Sequence, residues 1–199
     1  MQWYEQEVGE LERSVAARVN GGRPPVFYGS SSIRMWETLA EDVDPRVLNL
    51  GFGGSTLEAC LYFFERLVAP VRPRSLLLYA GDNDLGDGRG AEEVAATLRR
   101  FAGRVEEAFG GIPFGFVSVK LSPSRWGIGE RIRRFNELAR AEIESRPAGY
   151  FVDVYWPMLE ETGKPRAEFY MPDGLHLSRE GYRLWGRVVA QHRDRIFTE

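Results

Sequence analysis

The chain has 199 residues, of which 43% are hydrophobic and 28% charged, a composition typical of one globular domain with a substantial core. Its 26 Lys and Arg residues against 29 Asp and Glu residues give a net charge of −3, which argues against a nucleic-acid partner. The single cysteine, Cys60, excludes an internal disulfide, and no Cys/His cluster has the spacing of a structural zinc site. We therefore expect a single domain over residues 1–199.

The N-terminal segment predicts an amphipathic helix. Val8, Leu11, Val15 and Val19 recur at helical spacing, so a helix is expected over residues 2 to 20, ended by the breaker Asn20-Gly21-Gly22. Charged residues occur at nearly every turn, and no apolar stretch has the form of a signal peptide or of a membrane span. Together with the lone cysteine, these features favour a cytoplasmic protein with no membrane partner.

Five short apolar runs, each bounded by turn residues, predict buried parallel strands. They are Pro25–Tyr28, Val47–Leu50, Ser75–Tyr79, Phe114–Val119 and Tyr150–Val154. Segments with helical character lie between and after these runs: Thr56–Leu67, Ala91–Phe109, Glu130–Ser145 and Ser178–Phe197. This alternation predicts an α/β fold with a parallel sheet and helices on both faces, so a ligand is expected at the carboxyl ends of the strands.

A serine-rich turn, Gly29-Ser30-Ser31-Ser32-Ile33-Arg34, follows the first predicted strand. A serine at the start of a helix can act as a nucleophile, because backbone N–H groups and the positive end of the helix dipole stabilise the oxyanion formed by its attack. The alternative is that the serine only caps the helix. Both interpretations stay open at this point.

A glycine-rich loop, Asn49-Leu50-Gly51-Phe52-Gly53-Gly54-Ser55-Thr56, follows the second predicted strand. Its glycines allow close approach of the backbone to a ligand and present N–H donors, although a tight turn would account for two of them. The loop lacks the final glycine of a dinucleotide fingerprint and the Gly-Lys-Ser/Thr of a P-loop. It is therefore a candidate donor loop of another kind.

The third predicted strand leads into Gly81-Asp82-Asn83-Asp84. The carboxylates alternate, but the spacing to the next glycines does not fit a calcium-binding EF-hand. Asn83 stands at the tip of a central strand, where its side-chain amide can donate a hydrogen bond into a cleft. The alternative is a local Asx turn.

Only two histidines are available as a general base. His192 lies in the last predicted helix near a charged end and is expected to be a surface residue or to pair with the helix dipole. His176 lies in a loop three residues after Asp173, a carboxylate that can orient its Nδ1. A capping interaction is the alternative for this Asp-x-x-His pattern. Ser, oxyanion donors, His and Asp at one rim of a sheet are the parts that acyl-transfer chemistry needs.

In this order the four segments resemble the conserved blocks of the SGNH hydrolases, also called the GDSL esterase/lipase family. The resemblance runs from Phe27 to His176 and identifies Ser31 as the nucleophile in the first block. It implies oxyanion donors at the backbone N–H groups of Ser31 and Gly54 and at the side chain of Asn83, and a base, His176, oriented by Asp173. It also implies a flavodoxin-like three-layer α/β/α sandwich around a five-stranded parallel sheet, with no metal or organic cofactor.

The first block departs from the family pattern at two positions. Ser30 stands where the family normally has Asp, and Ser32 stands where it has Leu or Ile. The departure at Ser30 puts the shape of the turn in question more than the chemistry, and it leaves open that Ser30 or Ser32 makes hydrogen bonds in place of the Asp.

The resemblance implies a serine esterase that cleaves a small-molecule ester through an acyl-enzyme on Ser31. Short acyl groups, such as acetyl on a sugar, are favoured because no long apolar lid segment is present. Acyl transfer to a sugar acceptor and a non-catalytic binding protein remain alternatives. Aromatic and thioether side chains near the motifs are candidates for a pocket, with the core as the alternative, namely Trp36, Phe52, Trp126, Tyr170 and Met171. The stretch Lys120–Trp126 is a candidate polar rim over the site.

Overall fold

A computed structural model of the chain describes residues 1–18 and 22–198. Five strands form one parallel sheet in the order β2-β1-β3-β4-β5. The strands are β1 (Pro25–Gly29), β2 (Leu48–Gly51), β3 (Ser75–Tyr79), β4 (Phe114–Val117) and β5 (Gly149–Val152). The five predicted strands and their parallel arrangement are confirmed.

The helices flank this sheet. They are α1 (Glu5–Arg18), α2 (Ser31–Arg34), α3 (Leu39–Asp42), α4 (Leu57–Tyr62), α5 (Phe64–Leu67), α6 (Asp82–Gly86), α7 (Ala91–Phe109), α8 (Gly129–Glu144), α9 (Arg179–Ala190) and α10 (Arg193–Ile196). In the part of the chain that the structure describes, none of them combines the length and the apolar character that crossing a membrane requires.

Side chains along each strand alternate between two separate cores, one on each face of the sheet. Val26 and Tyr28 of β1 point into the larger core, which is covered by α1, α4, α5, α7 and α8. Phe27 points into the other core, which is covered by α2, α3, α9 and α10. The architecture is thus a three-layer α/β/α sandwich, as expected.

The order of the strands places three loops side by side. Because β1 lies between β2 and β3, the segments that follow these three strands meet at the carboxyl edge of the sheet. These segments carry Ser31, the glycine-rich loop and Asn83.

The fourth predicted strand is two residues too long at its end. β4 stops at Val117 because the side chain of Asn136 in α8 bonds both backbone groups of Val119: its Oδ1 accepts from the N–H and its Nδ2 donates to the carbonyl, each at 2.8 Å. A side chain distant in sequence thus replaces the strand partner at this position. β5 also ends early, at Val152, and the Ser118 hydroxyl accepts from the N–H groups of Val154 and Tyr155.

Two predicted helices are each divided in two. The helix expected over Thr56–Leu67 is divided at Phe63 into α4 and α5, and the last helix is interrupted at Gln191 and His192 between α9 and α10. The opening helix begins with a 3₁₀ turn, Gln2–Tyr4, before α1. Its predicted continuation through Val19 and the start of its breaker at residues 20–21 lie outside the described residues.

Candidate active site

Ser31 stands at the sharp turn from β1 into α2. Gly29 has φ +134°, and a Cβ at this position would lie 1.9 Å from the Tyr79 carbonyl oxygen, so only glycine fits here. Ser30 occupies the N-cap position of α2 without a capping hydrogen bond from its side chain, and Ser31 is the first residue of the helix. The capping alternative for Ser31 is therefore not realised.

The glycine-rich loop is held from two sides. A Cβ at Gly51 would lie 2.2 Å from the backbone nitrogen of Arg34, so this loop packs directly on α2. The Gly53 N–H donates to Glu7 Oε2 at 2.9 Å, and the Tyr4 hydroxyl donates to the Gly54 carbonyl at 3.1 Å. Gly54 itself has φ +68°, and its N–H has no hydrogen-bond partner within the described residues.

Asn83 connects the third loop to the second. It lies in α6, and its Nδ2 donates to the Ser55 carbonyl at 3.0 Å. This hydrogen bond reaches a residue 28 positions away in sequence, so the amide makes a tertiary contact that a local Asx turn does not include. An amide NH₂ carries two hydrogens, so one remains for a ligand in the cleft that Asn83 lines.

Asp173 and His176 interact directly. Asp173 Oδ2 lies 2.6 Å from His176 Nδ1, and Asp173 Oδ1 accepts from the N–H groups of Leu175 and His176. The hydrogen bond from His176, followed by the two backbone N–H groups, lowers the pKa of Asp173 to about 2. The carboxylate is therefore ionised at neutral pH, and Nε2 is the ring nitrogen left for other partners.

Four of the predicted site residues border one open cleft of about 630 Å³: Ser31, Gly54, Asn83 and His176. Asp173 lies behind His176, bonded to its Nδ1. No hydrogen bond joins Ser31 to His176 within the described residues, and the bond that His176 makes is to Asp173. The arrangement places a hydroxyl, a free N–H, an amide and an imidazole around one space.

The aromatic and thioether side chains proposed for a pocket do not border the cleft, and neither does the candidate rim Lys120–Trp126; for three of the five pocket candidates the core alternative is the correct one. Trp36, Phe52 and Tyr170 are buried in the two cores, whereas Trp126 and Met171 are exposed and do not border the cleft. The residues that the sequence analysis missed are Trp3, Gln6, Glu7, Glu10 and Arg34, which form a wall of the cleft. Helical periodicity placed α1 but not the face that it turns towards the loops.

Lys120 does not belong to a rim. It is fully buried and pairs with Asp82 Oδ2 at 2.7 Å, while Arg125 Nε contacts Asp82 Oδ1 at 3.2 Å. Burial raises the pKa of Asp82, but Lys120 and Arg125 outweigh burial and hold this pKa below its usual value. A charged network therefore lies directly beside Asn83.

His192 also differs from its prediction. It is the N-cap residue of α10, half-buried, and its ring stacks on Tyr150 with the centroids 5.4 Å apart. Burial lowers the pKa of His192. In the described part of the chain, no three His, Cys, Asp or Glu side chains gather closely enough to hold a metal ion.

Asp84, the neighbour of Asn83, is a buried carboxyl group whose negative charge is stabilised by few hydrogen bonds or opposite charges. Its Oδ2 accepts from the Leu57 N–H at 3.0 Å, its Oδ1 has no hydrogen-bond partner within the described residues, and Arg89 lies 3.9 Å away. Burial raises the pKa of Asp84 to about 6. The folded protein thus retains a proton that the unfolded chain releases near its ordinary pKa of 3.8.

Because of Asp84, the unfolding free energy is expected to fall as the pH rises. Its contribution to the unfolding free energy is complete below pH 3.8 and is lost as the pH rises through about 6. Asp84→Asn keeps the acceptor for Leu57 without the charge, so at pH 7 we expect this variant to be more stable than the wild type by about 3 kcal/mol. Urea unfolding of both proteins between pH 4 and pH 7 measures the difference.

The exposed neighbour Asp87 provides the control for this experiment. The unfolding free energy of Asp87→Asn is expected to differ from that of the wild type by the same amount at every pH in this range. Parallel pH profiles for the wild type and Asp84→Asn would contradict the assignment.

The chain is similar to known proteins of one family along most of its length. A model of the GDSL-like Lipase/Acylhydrolase family matches residues 14–184. Platelet-activating factor acetylhydrolase IB subunit alpha1 of Bos taurus is 28% identical over 189 residues, which cover 87% of this chain and 76% of the relative.

Two solved structures show the same fold. A GDSL-like lipase from Bacteroides thetaiotaomicron superposes with a TM-score of 0.81 at 21% identity, covering 94% of this chain and 97% of the other. An acetylxylan esterase from Geobacillus stearothermophilus superposes with a TM-score of 0.66 at 18% identity, covering 88% of this chain and 96% of the other.

Proposed function

Because this chain belongs to the GDSL-like lipase/acylhydrolase family and is a carboxylic ester hydrolase, we propose that it cleaves short-chain acyl esters through an acyl-enzyme on Ser31. The observation that carries the proposal is the single cleft bordered by Ser31, Gly54, Asn83 and His176, with Asp173 bonded to His176 Nδ1. Each of these residues supplies one part of acyl transfer.

In the proposed reaction, the Ser31 hydroxyl attacks the ester carbonyl while His176 Nε2 accepts its proton. Asp173 holds the imidazole and balances the positive charge that forms on it. The oxyanion accepts hydrogen bonds from the N–H groups of Ser31 and Gly54 and from the amide of Asn83. His176 then protonates the leaving alcohol, and water releases the acyl group by the same steps in reverse.

The chemistry of the cleft supports a short acyl group. Among the described side chains that border it, only Trp3 and Leu175 are substantially apolar, so a long acyl chain would remain in contact with water or with charged groups. The Bos taurus relative is named as an acetylhydrolase and the Geobacillus neighbour as an acetylxylan esterase. An acetyl-type ester is therefore the proposed substrate.

Intact-mass analysis after treatment with a fluorophosphonate probe tests this proposal. We expect one adduct on the wild type and none on Ser31→Ala, because only a serine with a working base reacts. Ser30→Ala is the matched control: its side chain makes no capping bond, so this variant should still form the adduct. An unlabelled wild type, or equal labelling of Ser31→Ala, would contradict the nucleophile assignment.

A further inference from the structure

The wall of the cleft opposite the predicted blocks comes from the N-terminal segment. Trp3, Gln6, Glu7 and Glu10 all border the cleft that contains Ser31. These four residues precede residue 14, where the match to the family begins. The family match therefore does not include this wall.

The N-terminal segment is fixed in place by several contacts. Tyr4 packs edge-on against Phe52 and Phe63, with ring centroids 5.4 Å and 6.0 Å apart, and its hydroxyl bonds the Gly54 carbonyl. Arg66 of α5 bonds Glu5 at 2.8 Å and Glu12 at 2.7 Å. A wall held in this way is preorganised for binding.

Trp3 is exposed although the segment around it is anchored. Its side chain is 85% accessible, and its indole nitrogen lies 4.0 Å from the position that a Cβ on Gly54 would take. An indole face of this kind, left open beside a proposed oxyanion donor, is a flat apolar platform with a polar edge. Such a platform suits a ring with both apolar faces and polar substituents.

The charges on the wall select the kind of ring. Glu7 is already committed, because it accepts from the Gly53 N–H at 2.9 Å and pairs with Arg34 at 3.3 Å. In the part of the chain that the structure describes, the one side-chain hydrogen bond of Glu10 comes from Gln6, at 3.4 Å, so both side chains remain available to hydroxyl groups. The wall thus carries two carboxylates, Glu7 and Glu10, and one cation, Arg34, which is already paired with Glu7. This excess of negative charge disfavours a phosphate and favours a neutral group rich in hydroxyl donors.

We propose that this wall is a binding site for the alcohol part of the ester, a neutral sugar ring stacked on Trp3 with its hydroxyl groups bonded to Gln6 and Glu10. The inference rests on the proposed function, since it places the sugar beside the ester carbonyl that Ser31 attacks. It names O-acetylated neutral sugars as the substrate class of this site.

The experiment compares two acetyl esters, 6-O-acetylglucose, which keeps its other hydroxyl groups free, and 4-nitrophenyl acetate, on the wild type and on Trp3→Ala. Loss of the stacking platform is expected to lower the ratio of kcat/KM for the sugar ester to kcat/KM for the aryl ester by about tenfold, mainly through KM. Trp3→Phe should recover part of the ratio. Trp156→Ala removes another exposed tryptophan, 61% accessible and outside the cleft, and should leave both rates unchanged.

A binding measurement separates this inference from the proposed function. Saturation-transfer NMR with 6-O-acetylglucose on the Ser31→Ala protein is expected to show transfer that is lost in the Ser31→Ala, Trp3→Ala double variant. If the double variant loses saturation transfer but the wild type hydrolyses no ester, the sugar site is supported and the proposed esterase activity is overturned.

Three results would overturn the sugar site. They are an unchanged ratio of kcat/KM in Trp3→Ala, saturation transfer that persists in the double variant, and a larger effect of Trp3→Ala on an acetylated glycerophosphocholine than on the sugar ester. The last result would assign the wall to a phosphocholine headgroup.

Discussion

Replacing His176 by alanine is expected to lower kcat for 4-nitrophenyl acetate by about 10⁴-fold or more with the fold intact. In the proposed reaction His176 is the base that activates Ser31 in acylation and the base that activates water in deacylation, so its loss affects both half-reactions. The side chain is partly exposed, so its removal leaves no buried cavity. Steady-state kinetics together with a circular dichroism melt measure the two effects separately.

The chain offers a matched control, because it contains only one other histidine. His192 stacks on Tyr150 near the start of β5, at the amino edge of the sheet, whereas the cleft lies at the carboxyl edge. His192→Gln is expected to keep kcat within about twofold of the wild type. A comparable loss in both variants, or an active His176→Ala, would show that His176 is not the base.

Replacing Lys120 by methionine is expected to lower the unfolding free energy by about 3 to 5 kcal/mol. Lys120 and Asp82 are both buried, and removal of the ammonium leaves the Asp82 carboxylate with Arg125 and the Tyr79 hydroxyl alone. In a chain of this length the melting temperature should fall by about 6 to 20 °C. Thermal and urea unfolding both report this loss.

Two variants show whether the loss comes from the buried charge. Adding Asp82→Asn to Lys120→Met removes the orphaned charge and should restore a large part of the stability. Arg134→Met breaks an exposed pair with Glu92 and should cost no more than about 1 kcal/mol. If Lys120→Met and Arg134→Met cost the same, the buried network does not carry the proposed share of stability.

The strands and the four predicted blocks could be read from the sequence because their signals are local. A buried strand is a short apolar run, and three of the blocks follow such a run directly, so locating the strand also locates the block. Asp173 and His176 are three residues apart and meet within a single turn. The sequence-based prediction succeeded where the relevant contact spans few residues.

The ends of elements were less predictable because distant residues decide them. β4 stops where Asn136, 17 positions away, bonds the backbone of Val119. The side-chain amide of Asn83 bonds Ser55 on another loop, a contact that the local sequence around Asn83 does not predict. In each case the hydrogen bond is tertiary, so the local sequence pattern does not contain it.

The wall of the cleft shows the same limit most clearly. The candidate pocket residues were chosen for being near the motifs in sequence, and three of the five are core residues. Trp3 and Glu7 reach the loop at Gly53 and Gly54 only because α1 packs across the larger core, and the Glu7–Gly53 hydrogen bond spans 46 positions. The hydrophobic periodicity of the sequence does not predict this contact between α1 and the loop.

The sequence by itself determined the α/β class, the five strands and the four blocks that resemble a serine hydrolase, since hydrophobic periodicity and turn residues act over a few positions. Only the tertiary structure decided that α1 walls the cleft, that Lys120 lies buried against Asp82 and that Asn83 bonds the neighbouring loop. These contacts depend on how helices pack on the sheet, and packing follows from the shape of the whole core.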